Sequence, residues 1–233
     1  MNINLYTGFS YKETYVPKDD AQEKLLQQRL SEINFCIEKN KSLKLINNIT
    51  ILDEQPTYQQ LIDLFEPSSL NIIHSPDNFF EDEDLQKIID IYENYPEDKT
   101  KLVLAITRHE YVSEKNIIFR PMKDSQDAHV FFGRHEIKLH ESRMSTQIIR
   151  MGYRGCDNRL AQELIHARGY KLYNPCHDIN VFHFHNSDVR PSLKTVRNNF
   201  NSLDFIPVQL VFGPYEFVNP CRIEDIPSKN KYD

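Results

Sequence analysis

Apolar residues along this chain switch repeatedly between two spacings. Ile3 to Phe9 is a short run of strand character. After Asp19 or Asp20, either able to cap a helix, Leu26, Leu30, Ile33 and Ile37 recur every three or four residues. The pattern then repeats. Leu43 to Leu52 is an Ile- and Leu-rich strand, Thr57 caps a short helix through Leu61, Leu64 and Phe65, and Leu70 to His74 is a compact apolar strand. Acidic residues from Glu81 to Asp84 open a helix carrying Leu85, Ile88, Ile89 and Tyr92, where first-turn carboxylates suit the helix dipole and read as a solvated start. Lys101 to Thr107 is apolar between its two ends, as a parallel strand covered on both faces requires. Strand alternating with helix predicts an α/β fold.

Beyond this point the rhythm changes. Ala128 to Phe132 reads as a strand, Asp157 to Arg168 as a helix stopped by Gly169, and Tyr170 to Tyr173 and Val181 to His185 as further strands. Phe205 to Phe217 holds another strand, and Ile226 to Asp233 is expected to be a frayed polar tail.

Composition narrows the possible partners. A chain of 233 residues can bury a large core as one α/β domain, and its 27% charged residues are ordinary for a globular protein. The net charge of -6 argues against nucleic acid as a partner, because such binding draws its affinity from Lys and Arg meeting phosphates. No apolar run approaches the roughly 20 residues of a membrane span, so no transmembrane segment is expected. A cytoplasmic location is predicted, with peripheral membrane contact left open. Cys36, Cys156, Cys176 and Cys221 form no C-x-x-C pair, which indicates packing residues rather than disulfides or a zinc knuckle.

Four places could carry chemistry. Asp77 follows Leu70 to His74 directly, at the carboxyl end of a buried strand where ligands bind in open α/β sheets, although an Asp after Pro76 is also an ordinary turn former. Asp124 and Asp127 stand before the strand that starts at Ala128, where they are either functional or merely solvated. Asp157 begins a helix behind Gly152 and Gly155. The glycines let a substrate approach the backbone, while Asp is also a common N-cap. His183 and His185 are two apart on a strand and so share a face, able to hold a divalent ion or a diphosphate, or simply to lie at the surface.

Taken in order, several segments resemble one family. They are Ile3-Asn4-Leu5-Tyr6-Thr7, the helix from Arg29 to Asn40, Thr57-Tyr58, the run from Asn71 to Phe80, and Leu104-Ala105-Ile106-Thr107-Arg108. Ser125-Gln126-Asp127, Gly155-Cys156-Asp157-Asn158-Arg159 and Asn174-Pro175 with His183 and His185 complete the series. The chain is similar over nearly its whole length to the GT-A-like glycosyltransferases, the nucleotide-diphospho-sugar transferase superfamily.

This resemblance implies one GT-A-like domain over residues 1–190, its mostly parallel central sheet flanked by helices, and a C-terminal extension over 191–233 packed against it. It implies transfer of a sugar from a nucleotide-sugar donor to a hydroxyl on a glycan, lipid-linked or other acceptor, with inversion. Asp157 would be the general base; Tyr6, Thr7, Asp77 and Arg108 would bind the donor, and Asp127, Gly155 and Asn158 the acceptor. A divalent cation, Mn²⁺ or Mg²⁺, would sit on Asp77, His183 and His185. Asn78 and Phe79 follow Asp77, so the second carboxylate of the family's Asp-x-Asp pattern is missing at the expected spacing unless Glu81 or Asp82 reaches back, which leaves metal dependence open. The helix N-terminus is expected to keep Asp157 ionised at neutral pH. Two other readings compete: a noncatalytic nucleotide- or carbohydrate-binding module on the same fold, and a hydrolase with metal on Cys176, His177, His183 and His185.

Overall fold

A computed structural model of the chain describes residues 1–8, 19–52, 56–123, 125–133, 149, 151, 156–187 and 216–229. The first half follows the apolar pattern closely. Strand β1 (Ile3–Gly8) is buried at every residue, helix α1 (Asp20–Lys41) is capped by Asp19, and strand β2 (Ile46–Leu52) is half-exposed. Thr57 and Gln60 form a capping box that starts α2 (Tyr58–Ile62), each side chain accepting from the other's backbone N–H. Strand β3 (Leu70–His74), short strand β4 (Asn78–Phe79), helix α3 (Asp82–Asn94) and strand β5 (Leu102–Ile106) follow.

The main sheet gains its last strands from the second half, which contributes β8 (Ala128–Phe132) and β9 (Lys171–Tyr173) to a six-stranded order β2-β1-β3-β8-β5-β9. Strand β1 is parallel to β2 and β3, and β5 to β9, but β8 runs antiparallel to both its neighbours. The sheet expected to be mostly parallel is therefore mixed, within the α/β class. A parallel strand needs a crossover to bring the chain back to the starting edge. Here the chain leaves β5 at Ile106 and enters β8 at Ala128, two residues that pair directly, so it never makes that crossing.

Between them lies a hairpin the apolar pattern did not reveal, β6 (His109–Ser113) and β7 (Asn116–Phe119), turning at Glu114-Lys115 without Gly, Asn or Pro. With β4 and β10 (Phe182–His183) it forms a second sheet, in the order β4-β10-β6-β7.

Alternation along the central strands divides the core. Leu5, Ile72, Leu104 and Val130 face α3 through Leu85, Ile88 and Tyr92. Tyr6, Ile73, Val103 and Phe131 face Tyr58 and Leu61 of α2 and Leu160 of α4 (Cys156–Gln162). A π-helical turn, Glu163–Ala167, continues α4, and Gly169 at φ 68° ends it in the left-handed conformation that glycine tolerates best.

Three expectations need correction. The buried face of α1 is Arg29, Glu32, Ile33, Cys36 and Asn40, so of the predicted stripe Leu26, Leu30, Ile33 and Ile37 only Ile33 is fully buried. The helix meets the small sheet through polar and apolar groups together: Cys36 and Phe35 pack with Phe79 and Phe182, while the Asn40 amide donates to Asn78 O (3.0 Å) and accepts from Phe80 N (3.1 Å). The start of α3 is not simply solvated: Asp84 is buried and accepts from Asn180 N at 3.1 Å. Ile226, expected in a frayed tail, is 2% exposed and belongs to the core. The strand expected within Phe205 to Phe217 falls almost wholly outside the described residues, as do 191–215 and 230–233 of the C-terminal extension. Among the described residues no helix is long and apolar enough to cross a membrane.

Asn174 ties the C-terminal segment to the end of β5. Its side chain accepts from Thr107 N (3.0 Å) and donates to Thr107 Oγ1 (2.9 Å), Met122 O (3.2 Å) and Val218 O (3.2 Å). Asn174→Ala leaves these groups buried without their partner and is expected to cost about 1–3 kcal/mol, read as a lower urea midpoint.

Candidate functional site

The carboxyl ends of β3 and β5 and the amino end of β8 meet at one edge of the main sheet, since Ala128 pairs with both His74 and Ile106. Backbone bonds close the junction: Asp127 N donates to Ile106 O (3.0 Å), Ser75 N to Asp127 O (3.2 Å) and Asn78 N to Ser75 O (3.0 Å). Asp77, Arg108 and Asp127, far apart in the sequence, are thereby brought to the same edge. Thr7 reaches it too, one residue beyond the Tyr6–Ile73 pair of β1 and β3.

Asp77 lies 3% exposed in a cluster of cationic and imidazole groups. Arg29 of α1 donates to its Oδ2, which also lies 3.5 Å from His185 Nδ1, and its Oδ1 lies 3.6 Å from His183 Nδ1. The peptide between the two histidines is fixed, because Phe184 N donates to Asp77 O at 2.9 Å. Burial alone would push the Asp77 carboxyl up, but His183, Arg29 and His185 outweigh it and hold it well below the usual carboxylate range. Among the described residues, Asp77, His183 and His185 are the group whose ligand atoms, within 4.8 Å of one another, could hold a metal ion.

The donor set fits such an ion. His183 Nδ1 meets Asn78 Oδ1 at 2.9 Å, which favours the tautomer with the proton on Nδ1, and its buried Nε2 has no hydrogen-bond partner among the described residues. Cys176 and His177 do not join this group. Cys176 is buried in the main core and the His177 ring rests edge-on against Phe119, which removes the four-residue metal site of the hydrolase reading.

A second cluster surrounds Asp157, the second residue of α4. Its Oδ1 accepts from Cys156 Sγ (3.2 Å) and Tyr58 Oη (3.4 Å), and its Oδ2 from Gln126 N (3.4 Å). These bonds favour the carboxylate, yet burial first and the charge of Asp127 second push its pKa up to about 7. The expectation of a carboxylate kept ionised by the helix terminus is therefore reversed: a few exposed N–H dipoles do not offset burial beside a second carboxylate. Arg108 holds that neighbour, with Nη1 3.0 Å from Asp127 Oδ1 and Nε 2.7 Å from Glu110 Oε1.

Asn78 joins the two clusters. Its Oδ1 meets His183, its Nδ2 donates to Asp127 O (3.1 Å), and its own carbonyl accepts from Asn40. Asn78, between Asp77 and the Phe79 that stands where a second carboxylate was sought, is thus an amide able to donate and accept at once. Thr7 Oγ1, both polar atoms of the Gln126 amide and Asp127 Oδ2 are buried without a hydrogen-bond partner among the described residues. Buried polar atoms are almost always partnered, so this edge presents groups for a ligand or further chain to meet.

The remaining expected residues behave differently. Tyr6 spends its hydroxyl on Leu64 O (3.2 Å) and Asn71 Oδ1 (3.1 Å), with its ring against Phe65. Asn158 donates to Glu216 O (3.2 Å) and so anchors the C-terminal segment. Gly155 lies outside the described residues. The apolar pattern missed Arg29 and Glu32, whose only trace was a charged pair three residues apart inside the predicted α1 stripe, and also Tyr58 and Gln126.

No family model matches this chain, and no curated protein matches it significantly.

The raised pKa of Asp157 has a testable consequence for stability. Between the usual 3.8 and about 7 the folded protein keeps a proton on Asp157 that the unfolded chain has lost, so this group's contribution falls as pH rises through that window. Asp157→Asn is expected to melt above the wild type at pH 8 and to lose that advantage towards pH 4, measured by thermal denaturation at both values.

Proposed function

We propose that the protein is a glycosyltransferase that moves a sugar from a nucleoside-diphosphate donor to an acceptor hydroxyl with inversion. The observation that carries this reading is the pair of clusters on one sheet edge: a carboxyl with pKa about 7 on one side, and a buried Asp-His-His set on the other. A general base works best with a pKa near the operating pH, which Asp157 satisfies. The sequence resemblance supplies the substrate class.

In this reading the acceptor oxygen attacks the anomeric carbon while Asp157 takes its proton. The nucleoside diphosphate leaves with the electrons of the broken carbon–oxygen bond. A divalent cation held by Asp77, His183 and His185 would neutralise charge on the departing diphosphate. Two imidazoles beside one carboxylate suit Mn²⁺ better than Mg²⁺, which prefers oxygen ligands. Thr7 and Arg108 line the donor side, and Asp127 the acceptor side while it raises the basicity of Asp157.

Isothermal titration against a panel of nucleoside diphosphates and nucleotide sugars, with and without Mn²⁺, tests the class. Binding of none of them sinks it, and binding without hydrolysis or transfer to any acceptor favours the noncatalytic module. Once an acceptor is found, Asp157→Asn should lower transfer by about two to four orders of magnitude with donor affinity kept, and wild-type kcat/KM should rise with pH through about 7. Near-normal turnover in that variant moves the base elsewhere, to Asp127 first.

A further inference from the structure

One guanidinium stands between two carboxylates on the inner face of α1. Arg29, Glu32 and Asp77 are 6%, 4% and 3% exposed. Arg29 Nη2 donates to Asp77 Oδ2, and Nη1 lies 3.3 Å from Glu32 Oε2 and 3.3 Å from Phe184 O. Glu32 is itself fixed, accepting from Ser187 Oγ at 2.7 Å and Gln28 Nε2 at 3.3 Å. The three groups differ in duty, since only Asp77 belongs to the set of possible metal ligands.

We propose that Arg29 is an exchangeable counter-ion of the candidate cation site: without a metal it bridges Asp77 and Glu32, and when a divalent cation takes Asp77 it shifts wholly to Glu32. The inference rests on reading Asp77, His183 and His185 as a cation site and does not depend on sugar transfer. Asp77 Oδ2 faces both Arg29 and His185, so a cation shared by Asp77 and His185 competes with the guanidinium for the same oxygen. Two like charges that close repel strongly where solvent screening is weak. A displaced guanidinium needs another anion, because a buried charge without a partner is strongly destabilising.

Glu32 meets that need three residues along the same helix, so the transfer takes side-chain rotation and no movement of α1. Phe184 O, the carbonyl between the two imidazoles, touches the same guanidinium and keeps it near the ligands in either position. Arg29 thereby weakens the cation affinity of the site, and Glu32 restores part of it.

The test is Mn²⁺ binding to the full chain, measured without nucleotide by the electron paramagnetic resonance signal of free Mn²⁺. Asp77→Asn should abolish binding. Arg29→Gln should tighten Kd at least tenfold and Glu32→Gln should weaken it at least tenfold, because the latter variant removes the carboxylate that would take over the guanidinium from Asp77. Opposite signs from two residues of one ion pair are the signature, since a merely structural role moves both the same way. Shifts of equal sign, or no shift in either, overturn the proposal. If the wild type binds too weakly to measure, Arg29→Gln must bring binding into range, and its failure to do so also overturns it. Should circular dichroism show Arg29→Gln unfolded, Glu32→Gln decides: weaker binding upholds the exchange, while unchanged or tighter binding ends it. The transferase reading stands or falls separately, on the nucleotide-sugar titrations.

Discussion

The reversed strand β8 is the constraint on which the site depends. Inserted antiparallel between β3 and β5, it starts where they end, so the residues just before it land beside those just after them. Had the chain crossed over and entered this position in parallel, residues 125–127 would lie at the opposite edge of the sheet, some five residues of strand away, or about 16 Å. Reversal instead puts the Asp127 backbone in hydrogen bond with Ile106 and Ser75, its carbonyl on Asn78 and its carboxylate on Arg108. The small sheet follows from the same event, because the β6–β7 hairpin occupies the chain between the two paired strand ends.

Two buried carboxylates at this edge are pushed in opposite directions by their surroundings. Asp77 is buried, but His183, Arg29 and His185 outweigh burial and keep it ionised. Asp157 meets three hydrogen-bond donors without full charge and the anion of Asp127, and burial prevails, raising it to about 7. The same residue type is thus held ionised at one point and raised towards neutrality at the other. Imidazoles buried in the sheet between the clusters play no such part: His129 is lowered to about 3 and His74 to about 4, chiefly by burial, so both stay neutral.

Placing charge inside a fold is costly unless every charge is answered. That explains why α1 turns its polar stripe inward. Arg29 and Glu32 answer Asp77 and each other, Cys36 Sγ meets Asp77 O at 3.1 Å, and Asn40 satisfies the backbone on both sides of Phe79. An apolar face in the same position would bury Asp77 beside no cation. Aromatic packing lies just beyond this network, with Phe35 against Phe79, Tyr111 and Phe184, and Tyr111 against Phe79.

How much of this was legible in the chain depended on the range of the interaction. Periodicity and caps are local, so Asp19 and Thr57 marked helix starts, Gly169 marked a helix end, and the apolar runs marked β1, β3, β5 and β8. Asp77 and Asp157 stood out for the same reason, as carboxylates beside a strand end and a helix start, and His183 and His185 as a pair on one strand face. Strand direction is not local. Nothing within Ala128 to Phe132 distinguishes a parallel from an antiparallel neighbour, and that choice came from the connection at Ile106. Nor does the sequence reveal the inward turn of Arg29 and Glu32, 48 and 45 residues before Asp77, or the bridging by Asn78. The sequence alone therefore determined most of the helices and central strands and marked Asp77, Asp157, His183 and His185 as candidates, because those follow from neighbours a few positions away. Only the tertiary structure decided which carboxylate is held ionised and which is raised, because a buried pKa is set by charges and dipoles that the fold brings from distant parts of the chain.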